Sequence, residues 1–172
     1  MTRPEPSDES TEKRTDDRPD EQAEDQPGES ADVSPDSQTI LTFMCVRNAG
    51  RSQMATAFAE REARKRGLDN AVAIVTGGTA PADEVHPVVI EALAEVDLDV
   101  AGRTPQHISE TTLAESDFVA TMGCSTLDLP GVDTDDWDLD DPGERPIQEV
   151  RPIRDEIESR VIALFDERFG ER

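Results

Sequence analysis

This chain predicts an α/β fold in which helices pack on a parallel sheet, and three observations point to it. Three short apolar runs, ILTFMCV at 40–46, AVAIV at 71–75 and DFVATM at 117–122, have the length and continuity of strands buried on both faces. Segments with helical spacing lie between and after them. Strand-to-helix-to-strand connections are right-handed, so these elements close into a sandwich with the sheet inside.

Each element has its own signal. Segment 52–66 places Met54, Ala55, Phe58 and Ala59 on one face, puts Arg64, Lys65 and Arg66 in the last turn, and meets Gly67 as a stop. Pro87 suits the first turn of a second helix that carries Val89, Ile90 and Leu93. Ser109 can cap a short third helix before Asp117. The last helix runs over about 147–169, with Val150, Ile153, Ile157, Val161 and Leu164 at helical spacing and Gly170 behind it. Pro152 must then sit in its first turn or shift its start.

The 172 residues carry 40 acidic against 17 basic side chains, a formal charge of −23. Residues 1–37 hold 13 acids, 4 bases, five prolines and no aromatic, a composition that cannot bury enough apolar surface to offset ordering entropy. They are expected to form a disordered acidic tail, with the folded domain in 38–172. A chain this negative repels nucleic-acid backbones and anionic lipid. No apolar stretch is long enough to span a bilayer and no signal peptide precedes the first strand, so a cytoplasmic location is expected. Apart from Lys13 and Lys65 every basic residue is arginine, and with the acidic excess this suits a halophilic, salt-rich cytosol. Two cysteines do not make a disulfide framework, and no metal-ligand spacing is present.

The chemistry lies after the first strand, in Cys45-Val46-Arg47-Asn48-Ala49-Gly50-Arg51-Ser52. Backbone N–H groups of such a loop can converge on one anion, and the helix N-terminus that follows adds partial positive charge. The oxyanion-binding set is therefore Val46, Arg47, Asn48, Ala49, Gly50, Arg51 and Ser52. Arg51 can fork onto two oxygens of a tetrahedral anion. The same surroundings favour thiolate over thiol at Cys45, and a Ser52 hydroxyl donated to the sulfur adds to that.

With Gln53-Met54-Ala55 next on the helix, Cys45-x5-Arg51-Ser52 resembles the low-molecular-weight protein tyrosine phosphatases and their relatives, the thioredoxin-coupled arsenate reductases. The resemblance continues through His86-Pro87, the 117–122 run, Asp140-Asp141-Pro142 and the stretch 150–157, and so covers nearly all of 39–172. It implies a three-layer sandwich with a central parallel four-stranded sheet of the low-molecular-weight phosphatase type. It further implies that Cys45 is the nucleophile, Arg51 holds the oxyanion, Ser52 tunes the thiolate, Asn48 braces the loop and Asp141 is the general acid. The acid-rich loop 133–141 also offers Asp136, Asp138 and Asp140 for that last role. His86 and His107 are read as structural.

Two reactions fit this set. A phosphatase would form a cysteinyl-phosphate that water hydrolyses, with no cofactor. An arsenate reductase needs a second thiol to resolve the Cys45 adduct, and Cys124, just past the third apolar run, is the candidate, with a thiol or redoxin as electron donor. A buried structural thiol is the alternative reading of Cys124. The chain has no tyrosine, and Gly143-Glu144 follow Asp141-Pro142 where the resembling phosphatases usually carry aromatics, which favours a small inorganic oxyanion over a phosphotyrosine ring. Leu129 stands before Pro130 where the reductases usually have a further cysteine, which leaves a two-thiol version. An oxyanion-binding module without turnover is a third class.

Overall fold

The computed structural model describes residues 38–123 and 129–170. The expected acidic tail and Cys124 lie outside the described residues. Eight elements follow in order: β1 (Thr39–Cys45), α1 (Arg51–Lys65), β2 (Val72–Gly78), α2 (Pro87–Ala94), α3 (Glu110–Ala114), β3 (Phe118–Met122), β4 (Asp133–Asp136) and α4 (Ile147–Phe169). The four strands form one parallel sheet in the order β2-β1-β3-β4.

Alternation along β1 sorts the layers. Leu41, Phe43 and Cys45 face a large core that also takes in Met54, Phe58, Val89, Ile157 and Phe165 from α1, α2 and α4. Met44 on the opposite face joins Val119 of β3, Ile108 and Leu113 of α3 in a smaller cluster. Three layers result, with the sheet in the middle. Phe43, Phe58 and Phe165 are fully buried, and truncating any one to alanine would cost about 3–5 kcal/mol.

The helix ends follow the chemistry of their residues. Ser109 caps α3 by accepting the Thr112 N–H at 3.1 Å. Gly170 ends α4 at φ 83°, where its N–H reaches the Asp166 carbonyl at 2.9 Å. Glu95, just past α2, ties that helix to α4, lying 2.7 Å from Arg151 Nη2 and 2.8 Å from Arg154 Nη1. The Arg151 hydrogen bond is the main reason its carboxyl is lowered to about 2, with burial opposing and Arg154 reinforcing.

Two expectations are corrected. Pro152 sits inside α4, beyond the first turn, with the helix starting at Ile147 all the same. Its ring is exposed, and the helix is held from the other side by Val150, Ile153 and Ile157. The acid-rich loop also begins as a strand, because β4 pairs with β3 in the register Phe118↔Asp133 to Thr121↔Asp136. All four β4 residues are exposed, so this edge strand carries charge where a buried strand would carry apolar groups.

Candidate active site

The site forms at the carboxyl edge of the sheet. Cys45 is the last residue of β1 and pairs with Gly78 of β2 and Met122 of β3. Its side chain is buried, at 2% exposure. From there the chain turns through residues 46–50 into α1.

Three carbonyls of this turn are taken up by the chain that follows β2. Those of Val46, Arg47 and Ala49 accept from the backbone N–H groups of Ala80, Ala82 and His86 at 2.8, 2.9 and 3.0 Å. A trans peptide puts the next residue's N–H on the opposite side from its carbonyl, so the N–H groups of Arg47, Asn48 and Gly50 point away from those contacts. Asn48 shows the result directly, since its N–H lies 3.2 Å from Cys45 Sγ. A turn of this kind, with one N–H already on the sulfur, can serve as a cradle of donors there.

Asn48 holds that shape in the left-handed region at φ 53° and is fully buried. Its Oδ1 accepts the Gln106 backbone N–H at 2.9 Å and Gln53 Nε2 at 3.1 Å. A backbone N–H can only donate, so Nδ2 must lie on the other side, where it donates to Ser52 Oγ at 2.8 Å and Thr76 Oγ1 at 2.9 Å. Ser52 Oγ in turn lies 2.9 Å from Cys45 Sγ.

Arg51 opens α1 and its side chain is 12% exposed. Nη1 donates to the Leu139 carbonyl at 2.7 Å, which links the cradle to the acid-rich segment 88 residues away. Nε is buried with no partner among the described residues. Because the guanidinium is a rigid plane, anchoring Nη1 sets the direction of the Nε–Nη2 edge. That edge suits two oxygens of a tetrahedral anion.

Of the four acids considered at the sequence level, Asp141 is the one near Arg51, with Oδ2 4.0 Å from Nη2. Its other oxygen accepts the Gly143 N–H at 2.9 Å, and the side chain is 61% exposed. Asp136 is held on β4 by Thr121 Oγ1 at 2.9 Å. Asp138 and Asp140 make no such contact among the described residues. Arg47 is exposed at the mouth. Among the described residues no group of three or more His, Cys, Asp or Glu side chains could hold a metal ion.

Some contributors escaped the sequence reading. A Cβ placed on Gly143 would lie 2.7 Å from His86 Nε2, and one on Gly50 would lie 3.5 Å from His86 Cδ2 and 3.0 Å from Pro142 Cγ. The His86 ring thus packs against both the nucleophile loop and the loop of Asp141, whereas His107 is exposed. His86-Pro87 at a helix start was the available signal. Gln106 and Thr76, which complete the Asn48 network, gave none, because their partners are distant in sequence. No helix among the described residues is long and apolar enough to cross a membrane.

Known proteins resemble this chain over most of the described residues. Residues 40–171 match the profile of the family described as low molecular weight phosphotyrosine protein phosphatase. The chain is 55% identical over 137 residues to "Putative arsenate reductase" of Halobacterium salinarum, covering 78% of this chain and 96% of that protein. It is 35% identical over 132 residues to Arsenate reductase 2 of Staphylococcus epidermidis, covering 73% of this chain and 95% of that one. A solved thioredoxin-dependent arsenate reductase of Corynebacterium glutamicum superposes with a TM-score of 0.62 at 35% identity, over 76% of this chain and 61% of that protein's length. A low molecular weight protein tyrosine phosphatase from T. tengcongensis, at TM-score 0.65 and 16% identity over 76% of this chain and 99% of that one, shares the fold.

Proposed function

Because this chain belongs to the low molecular weight phosphotyrosine protein phosphatase family, we propose that it is a cysteine-dependent oxyanion enzyme that reduces arsenate to arsenite. The observation that carries this reading is the Cys45 sulfur within reach of the Asn48 N–H and the Ser52 hydroxyl, in the same strand-to-helix turn as a buried, unpartnered Arg51 Nε. Relatives named as arsenate reductases support arsenate as the substrate.

In the proposed reaction the Cys45 thiolate attacks arsenic, and an arsenate oxygen leaves as water after protonation by Asp141. The developing negative charge rests on the loop N–H groups and Arg51. Cys124 then attacks the Cys45 sulfur. The sulfur–arsenic bond breaks, its electron pair stays on arsenic as As(V) becomes As(III), and the two thiols end as a Cys45–Cys124 disulfide. The β3 register supports this pairing, since Met122 lies opposite Cys45 and Gly123 lies against Arg51, one residue before Cys124. A redoxin's dithiol, or two equivalents of a small thiol, reduces the disulfide and regenerates the pair. The exposed acidic surface and arginine-rich basic set suit a salt-rich cytosol.

Phosphomonoester hydrolysis is the second reading, favoured by Asp141 beside Arg51. Arsenate-dependent consumption of a dithiol, measured alongside aryl phosphate hydrolysis, separates the two. Cys45→Ser is expected to abolish whichever activities are present, and Cys124→Ser to abolish arsenate reduction alone. Undiminished arsenate reduction in Cys124→Ser would remove the resolving role.

A further inference from the structure

Gly123 follows β3 directly and adopts φ 80°, a backbone region that side chains rarely occupy. A Cβ there would fall 2.3 Å from Arg51 Nη1, 2.8 Å from Cζ and 2.9 Å from Nη2. The guanidinium thus occupies the space where any other residue would place its first side-chain atom. From that position Nη1 reaches the Leu139 carbonyl, Nη2 lies 4.0 Å from Asp141 Oδ2, and Nε is left without a partner.

We propose that Gly123 is a positioning residue that seats the Arg51 guanidinium in its oxyanion-binding orientation. The three atoms nearest to such a Cβ all belong to the far end of a flexible side chain, so the fold can absorb it by moving Arg51. That movement breaks the Nη1–Leu139 hydrogen bond and redirects the Nε–Nη2 edge. The inference rests on Arg51 as the oxyanion ligand of the proposed function, and it adds the reason that a glycine precedes Cys124.

Gly131 supplies the control, because it adopts φ 81° with nothing within 4 Å of its Cβ position. Gly131→Ala therefore carries the same backbone strain without the collision. The experiment is calorimetric titration of inorganic phosphate into the full chain in molar KCl, with Tm measured in parallel. Gly123→Ala is expected to weaken phosphate binding roughly tenfold to a hundredfold, the loss of one charge-assisted contact, while Gly131→Ala binds as wild type does. Gly123→Asn, which tolerates positive φ better yet still carries a Cβ, should show the same loss and serves if the alanine variant does not fold. Wild-type phosphate affinity in a folded Gly123 variant, or an equal loss in Gly131→Ala, would overturn the proposal. Failure of wild type itself to bind phosphate would remove the oxyanion reading beneath it, a distinguishable outcome.

Discussion

The Ser52 hydroxyl stands 2.9 Å from the Cys45 sulfur and is tied to Asn48. Asn48 Nδ2 donates to Ser52 Oγ, which leaves the Ser52 proton available for the sulfur. With the Asn48 N–H at 3.2 Å, Cys45 Sγ has two polar partners that hold it in place. Removing the Ser52 hydroxyl while keeping the loop should therefore affect chemistry more than folding. Ser52→Ala is expected to lower turnover roughly tenfold to a hundredfold with a small change in Tm. Asn48→Ala is expected to lose turnover and about 2–4 kcal/mol of stability together, because four side-chain hydrogen bonds and a positive φ depend on that one residue. Denaturant titration beside steady-state kinetics reads both quantities.

Asp141 differs from its acidic neighbours by its distance to Arg51. Asp141→Asn should reduce turnover by about 10²–10⁴, the usual contribution of a general acid. Asp138→Asn and Asp140→Asn should stay near wild type. An equal loss at Asp140 would move the acid one position along the chain.

Much of the site was legible because its members are close in sequence. Cys45, Asn48, Arg51 and Ser52 all fall within one strand-to-helix turn, and spacing alone brings them together. Helix α4 was legible end to end, since its apolar spacing and Gly170 are local signals. Strand β4 was not, because DTDD pairs through its backbone at an exposed edge and has no apolar alternation to reveal it. Pro152 misled for a related reason, since packing of Val150, Ile153 and Ile157 outweighs the local penalty of an interior proline. Gly123 carries no local signal either, since what it faces, the Arg51 guanidinium, lies 72 residues away.

The α2–α4 clamp gives a pH dependence of known sign. Glu95 ordinarily titrates near 4.5 and in the fold near about 2, so its folded form resists protonation more than its unfolded form. The contribution is fully present above about 4.5 and is lost as pH falls from there through about 2. Glu95→Gln should flatten the stability profile across that window, most clearly at low salt, where this exposed pair is least screened. An unchanged slope would show that Arg151 and Arg154 do not hold Glu95 in solution.

Excess negative charge should also make folding depend on salt. Trp137, the chain's single tryptophan, is buried against Phe43 at a ring separation of 5.8 Å and reports unfolding by fluorescence. Its urea midpoint is expected to rise from dilute buffer to molar KCl as self-repulsion is screened. A midpoint independent of KCl would contradict adaptation to a salt-rich cytosol.

The most direct test of the whole account is non-reducing peptide mass spectrometry of the reduced protein in molar KCl after addition of arsenate or phosphate. A Cys45–Cys124 disulfide that appears with arsenate and not with phosphate is the predicted result. If both thiols stay free after arsenate, the two-thiol reductase mechanism is wrong for this chain and phosphomonoester hydrolysis takes its place.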